Sequence, residues 1–355
     1  MDNIGSYEYA VGRVKSLEAR LLEPSSFQRM IDALDFDEAL RFLSDGQYSG
    51  RLTRESFESA LDAAVSEAYL GVSAYSPDPY FTGMFLAEYD FLKLKAFVKE
   101  AFLKSQGQLV PAFTVPVLGF VAEGELKAIA HEAQAAGGVR QGGLSFGEER
   151  KPTDEEVLKV SLKDAAYAAS LRYMKAGRDP LEIDAAIDVA AYAYLHKVAQ
   201  KRAASWALEL IAVKADTANL MLVMRATKAG KGLRFITDSL VPGGAIPHER
   251  LIDAAKEGAD RLRRVLESSP YWRSLAEAFE RWQKEGSIRS FEMSANLLLY
   301  SVIRQSRTST GGYVPVMGYL LMRQYEASII RRILAGKAKA LPSGFIRERL
   351  CDGNA

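Results

Sequence analysis

The sequence has almost no cysteine. Cys351 stands alone, so no disulfide can form within the chain and a disulfide-stapled fold is excluded. Histidine is nearly as scarce. His131, His196 and His248 lie far apart and have no cysteine partners at metal-ligand spacing. His131-Glu132 opens like a zinc-binding helix, but position 135 is Ala where the second ligand would stand. No apolar run reaches the roughly 18 residues of a membrane span. The nearest approach, residues 109–122, is short and broken by Pro111 and Pro116, and reads as a buried irregular connection or a surface that touches something apolar. Charge of one sign is missing too. The 46 Lys and Arg against 45 Asp and Glu leave a net of +1, so the chain as a whole is not a nucleic-acid or membrane-surface binder by charge. The opening MDNIGSYEYA has no basic stretch followed by an apolar one. No signal peptide is expected, and a cytosolic compartment fits.

What the sequence has in quantity is helix punctuation. Ser25 with Gln28 and Thr153 with Glu156 have capping-box spacing, and Asp179-Pro180-Leu181-Glu182 places a capping Asp before a first-turn proline. Gly71, Gly107, Gly137, Gly177, Gly230, Gly286 and Gly336 read as helix stops. Between these marks apolar residues recur at three and four, as in Leu86, Leu94, Phe97, Val98 and Ala101, a stripe with Asp90 set into it. The expectation is an all-α chain, with short strands left open only in 109–122 and 233–246. The Gly-rich then charged stretch 137–156 is the best linker candidate, with further breaks near 243–247 and Gly286.

Motifs that would carry catalysis are incomplete. Gly143-Leu144-Ser145-Phe146-Gly147 fits G-x-S-x-G, but a nucleophile elbow needs a strand before it and a helix after it. Here a Gly-rich run precedes and EERKP follows. The phosphate-loop-like glycines at 137–143 lack their lysine. Lys228-Ala229-Gly230-Lys231-Gly232 lacks the full spacing and the magnesium-binding hydroxyl. Asp184 and Asp188 are spaced for one helix face and read as a solvated pair rather than an acid–base pair. No cofactor, metal or catalytic residue is expected.

Sliding the chain by 126 residues lays 57–102 over 183–228 without a gap, so that Asp90…Leu94…Phe97-Val98 falls on Asp216…Leu220…Val223-Met224. A third copy, about 110 residues on, brings Phe291-Glu292…Asn296 and Glu326…Ile330…Ile333-Leu334 into line. Three helical bundles in a row are expected, over 1–135, 136–245 and 246–355. Asp90, Asp216 and Glu326 recur one per bundle, which suits a structural carboxylate paired with a cation or capping a neighbouring helix.

The segments that carry a family likeness are Tyr7-Glu8-Tyr9-Ala10-Val11-Gly12-Arg13-Val14, Phe36-Asp37-Glu38-Ala39-Leu40-Arg41-Phe42-Leu43 with Tyr48-Ser49-Gly50, and Tyr89-Asp90-Phe91-Leu92-Lys93-Leu94. Most specific is Pro315-Val316-Met317-Gly318-Tyr319-Leu320-Leu321, continuing through Glu326 to Leu341-Pro342 and Arg347-Glu348-Arg349-Leu350. Over nearly its whole length the chain resembles the C subunit of archaeal and bacterial A/V-type ATPases, a family that includes the d subunit of eukaryotic vacuolar ATPases. The resemblance implies a three-domain helical funnel with pseudo-threefold arrangement. It implies a non-catalytic subunit that seats the central shaft of the catalytic head on the membrane proteolipid ring of a proton- or sodium-translocating rotary ATPase. It also implies a cytoplasmic position, peripheral to the membrane, with no nucleic-acid or small-molecule partner. A helical scaffold of another assembly and a serine hydrolase acting through Ser145 are the alternatives.

Charge is unevenly placed along the chain. Residues 1–70 carry 13 acidic against 7 basic side chains, whereas 319–349 carries seven cations against Glu326 and Glu348. Two solvated faces or two docking surfaces of opposite sign would both fit. Arg331, Arg332 and Lys337 are the candidate interface residues of the basic segment.

Overall fold

The computed structural model describes residues 6–43, 48, 52–110, 117–138 and 152–349. Ser145, Cys351, Ser49, Gly50 and most of the 137–156 linker lie outside them. Contacts divide the chain into two compact units, Met1–Gly83 with Arg273–Ala355, and Met84–Trp272. The first unit begins with α1 (Glu8–Glu18), α2 (Pro24–Asp32), α3 (Phe36–Arg41), α4 (Phe57–Ser73) and α5 (Pro79–Thr82). The second unit opens with a 3-10 turn at Met84–Leu86. It continues through α6 (Ala87–Ser105), α7 (Glu123–Ala135), α8 (Asp154–Lys175), α9 (Pro180–Lys201), α10 (Ser205–Lys228), α11 (Leu233–Ser239), α12 (His248–Glu257) and α13 (Ala259–Glu267). The chain returns to the first unit with α14 (Trp272–Glu285), α15 (Arg289–Gln305), α16 (Tyr313–Ala338) and α17 (Ser343–Arg349). Every regular element among the described residues is helical, as the punctuation implies. Residues 233–246 hold α11 and an irregular strap, not a strand.

The local signals hold where a side chain has an orphan backbone group to satisfy. Thr153 Oγ1 accepts from Glu156 N at 3.2 Å, and Glu156 Oε2 accepts from Thr153 N at 2.8 Å, closing the capping box on α8. Asp179 caps α9 by accepting from Leu181 N at 3.0 Å ahead of Pro180. The Ser25/Gln28 box does not form, because Pro24 is pre-set for the first helical position and α2 starts two residues earlier, with Glu23 at the cap position. Gly71 and Gly336 do not stop helices either. Tertiary packing carries α4 to Ser73 and α16 to Ala338, where Ala340, at φ +51°, takes the left-handed position instead.

In the first unit α16 is the hub. It contacts α1, α2, α3, α4, α5, α15 and α17, and most of its residues are buried on every side. This explains the run 313–322 at its start: a helix segment surrounded by others is apolar all round rather than striped. Its close fit needs Gly318, where a Cβ would overlap Ser306 Oγ. In the second unit α8 and α9 pack as a hairpin, and α6 contacts α7, α8 and α9. The stripe of α6, from Asp90 and Phe91 through Leu94, Phe97 and Val98 to Ala101, is buried throughout.

Ile330 is fully buried in α16, whereas Leu34 is 92% exposed. Ile330→Ala is expected to lower unfolding free energy by about 2–5 kcal/mol, through lost burial plus an unfilled cavity. Leu34→Ser should change it by less than about 0.5 kcal/mol. Urea denaturation of both variants checks the assignment of α16 as the core helix.

Candidate functional site

Each of the three repeated carboxylates is buried, and each accepts a backbone N–H from a strap that leads into the next helix. In the first turn of α6, Asp90 is 0% exposed and accepts from Phe120 N at 2.8 Å and Val121 N at 3.2 Å. One turn on, Lys93 lies 3.1 Å from Asp90 Oδ1 and donates to Val121 O at 3.3 Å. The strap approaches closely because it carries Gly119. That residue sits at φ +133°, and a Cβ there would overlap Asp90 Oδ1 and lie 2.7 Å from Lys93 Nζ. Burial pushes the Asp90 carboxyl above its ordinary range, against the pull of the two amides and Lys93.

Asp216, midway along α10, repeats the arrangement. It accepts from Ala245 N at 2.8 Å, Ile246 N at 3.0 Å and the Tyr271 hydroxyl at 2.7 Å. Gly244 allows the approach, since a Cβ there would overlap Asp216 Oδ1. One turn on, Asn219 mimics a peptide group: its amide donates to Val241 O at 2.9 Å and its oxygen accepts from Val241 N at 2.8 Å. Burial raises the Asp216 carboxyl as well, while Tyr271 and the two amides pull it down.

Glu326 on α16 is the third. It accepts from Leu22 N at 2.5 Å and from the Tyr48 hydroxyl at 2.8 Å, and it pairs with Arg323. Arg323 also donates to Tyr48 Oη at 2.8 Å, with its guanidinium 4.6 Å from the ring centre. Burial again raises the Glu326 carboxyl, against Arg323 first and the Leu22 amide next. The register is common to all three. Val121, Ile246 and Leu22 each stand two residues before the next helix, at Glu123, His248 and Pro24. The third strap has Arg20 where the other two have Gly119 and Gly244. There the acceptor is Glu rather than the shorter Asp. Tyr48 and Lys93 fall in the segments that carry the family likeness and Arg323 in the basic segment, but the sequence assigns none of them, nor the strap amides, Asn219 or Tyr271, to a carboxylate. The recurrence of Gly119 and Gly244 about 28–29 residues after their aspartates was the signal available.

The charged segments meet at two ion pairs inside the first unit. Arg347 pairs with Asp32 at 2.5 Å, and Arg331 pairs with Asp62. Lys337 is buried and donates to Ala33 O and to Ser343 Oγ, so it does not face solvent. Of the three candidate interface cations, Arg332 is the exposed one, with Ser328 Oγ at 3.0 Å. Asp184 and Asp188 form a ladder to α6, with Lys99 at 2.6 Å and Lys95 at 2.5 Å, and both side chains remain partly open to solvent. Lys231 pairs with the α9 cap Asp179 at 2.6 Å. His131 is exposed, and His248 Nε2 lies 3.0 Å from Val241 O on the second strap. Among the described residues no His, Cys, Asp and Glu cluster suits a metal.

A family profile described as ATP synthase (C/AC39) subunit matches residues 10–349. The chain is 23% identical to the C subunit of the A-type ATP synthase of Methanocaldococcus jannaschii, over 98% of this chain and 87% of that protein. It is 20% identical to the protein of the same description from Archaeoglobus fulgidus, over 98% and 97%. For that of Thermococcus kodakarensis the figures are 23%, over 96% and 89%.

Asp216→Ala leaves two amides and a hydroxyl without their acceptor, so it should cost at least about 1–3 kcal/mol. A carboxyl raised by burial holds its proton more tightly in the native state. Its contribution is therefore complete below the unfolded value of about 4 and is lost as pH climbs through the folded value. The stability gap between the native chain and Asp216→Asn should narrow as pH rises from about 4. Urea melts across a pH series measure it, and a gap that widens would mean a carboxylate held ionised.

Proposed function

The chain belongs to the ATP synthase (C/AC39) subunit family, and from that membership we propose that it is the non-catalytic coupling subunit of a rotary A/V-type ATPase. In this reading it links the central shaft of the catalytic head to the proteolipid rotor ring and passes torque between them. The observation that carries the reading is the family match from residue 10 to residue 349. The partners are then the shaft subunits and the ring, with no nucleic acid and no small-molecule substrate. The position is cytoplasmic and peripheral to the membrane. No helix among the described residues is long and apolar enough to cross a bilayer, which is compatible with that position.

A torque-bearing part has to resist shear between its helices. Three buried carboxylate locks of one register support a threefold repeat along the chain, which in this reading forms three bundles over 1–135, 136–245 and 246–355 in a pseudo-threefold funnel, with the second and third locks each reaching into a neighbouring bundle. The third bundle would draw its strap from Leu22, so the opening segment would serve two bundles. Each lock ties the backbone ahead of one helix to the middle or start of another. Shear then has to break buried hydrogen bonds rather than only slide apolar surfaces.

A tagged chain is expected to co-purify with both head and ring subunits from native membranes. Recovery of neither would sink the coupling role. Calorimetry is expected to find no ATP binding to the chain alone. Stoichiometric binding that Lys231→Ala abolishes would mean that the 228–232 segment is a nucleotide site after all.

A further inference from the structure

Of the cations of the C-terminal segment, Arg323, Arg331 and Arg347 pair with carboxylates and Lys337 is buried on a carbonyl and a hydroxyl, whereas Arg332 and Lys339 gather with Arg289 of α15 in one place. A groove of about 550 Å³ lies among α15, α16 and α17. Its floor is apolar, with Met293, Leu341 and Ile346. Its rim carries Arg289, Arg332 and Lys339, all exposed, against the single carboxylate Glu292. None of the three cations has a carboxylate partner among the described residues, although neighbouring Arg331 and Arg347 both do. The floor is closely built: a Cβ on Gly336 would meet Ile346 Cγ1 at 2.8 Å, so the missing side chain is what lets α17 close onto α16.

We infer that this groove docks an acidic amphipathic helix of a partner protein, with its apolar stripe on Met293, Leu341 and Ile346 and its Asp and Glu side chains against Arg289, Arg332 and Lys339. The argument is charge complementarity joined to shape. A trough flanked by helices takes a further helix by the ordinary packing of side-chain ridges. A cationic rim around an apolar floor selects a helix whose flanks are acidic and disfavours a basic one by like-charge contact. The inference rests on the coupling-subunit reading for the assembly in which the partner is sought. The chemistry of the groove stands independently of it.

The test uses the full chain and the triple variant Arg289→Glu/Arg332→Glu/Lys339→Glu, with circular dichroism to verify folding. Ala335→Trp fills the groove with the charges intact and serves as a second variant. The probe is a synthetic helix with Leu along one face and Glu on both flanks, set against the same helix carrying Lys. The native chain should bind the acidic helix in a salt-sensitive manner, and the triple variant should bind it about tenfold more weakly or worse. Ala335→Trp should weaken binding as well. Equal binding by native and triple-variant chains overturns the inference. So does binding to phosphatidylglycerol vesicles that the triple variant loses, if the acidic helix itself does not bind, because the groove then faces lipid.

Reconstitution with head and ring subunits separates the two readings. Incorporation of the native chain with loss in the triple variant supports the groove. Equal incorporation of both overturns it and leaves the coupling role standing. If the native chain fails to incorporate, the coupling role falls and the peptide measurement decides the groove.

Discussion

A buried carboxylate that accepts backbone N–H groups from a passing strap is the interaction on which both units depend. A strap has no ladder or helix of its own to satisfy its amides, and burying them unpaired costs about 1–3 kcal/mol each. Asp90, Asp216 and Glu326 supply the acceptors, and the strap supplies the donors that make a buried charge tolerable. Each half of the arrangement would be costly alone. The helices on either side are thereby fixed in register, which apolar packing by itself specifies less sharply.

The acidic side chain varies with the strap. Where Gly119 or Gly244 lets the backbone come against the carboxylate, the acid is Asp. Where Arg20 stands at that position the acid is Glu, and Arg323 with Tyr48 complete the positions around it. The three sites are alike in geometry and differ in chemistry. Lysine, asparagine and arginine serve as the companion group in turn, so the likeness is easier to see in hydrogen bonds than in residue identities.

That difference sets how much could be read from the sequence. The helices were legible wherever a cap or a glycine left a local mark, as at Thr153, Asp179, Gly177 and Gly230. They were misjudged where tertiary packing overrode the mark, as at Gly71 and Gly336. The recurring carboxylates were legible because a charge within an apolar stripe is conspicuous. Their partners were not, since Leu22 and Tyr48 are hundreds of residues from Glu326 and backbone amides leave no trace in composition. The charged segments misled in the same way. Asp32 and Arg347 resemble parts of two separate surfaces until folding sets them 2.5 Å apart.

The bond between Leu22 N and Glu326 spans 304 residues. Closing so long a loop adds only about 0.6 kcal/mol over one of half the length, so the native state loses little by it. The consequence is one of timing. Leu22 leaves the ribosome long before Glu326 does, so this lock cannot close until α16 has been made. The second unit, whose locks close over about 30 residues, can be complete by then. The first unit is therefore the last to mature, and a chain halted before α16 would carry a folded middle and a beginning with nothing to fasten to.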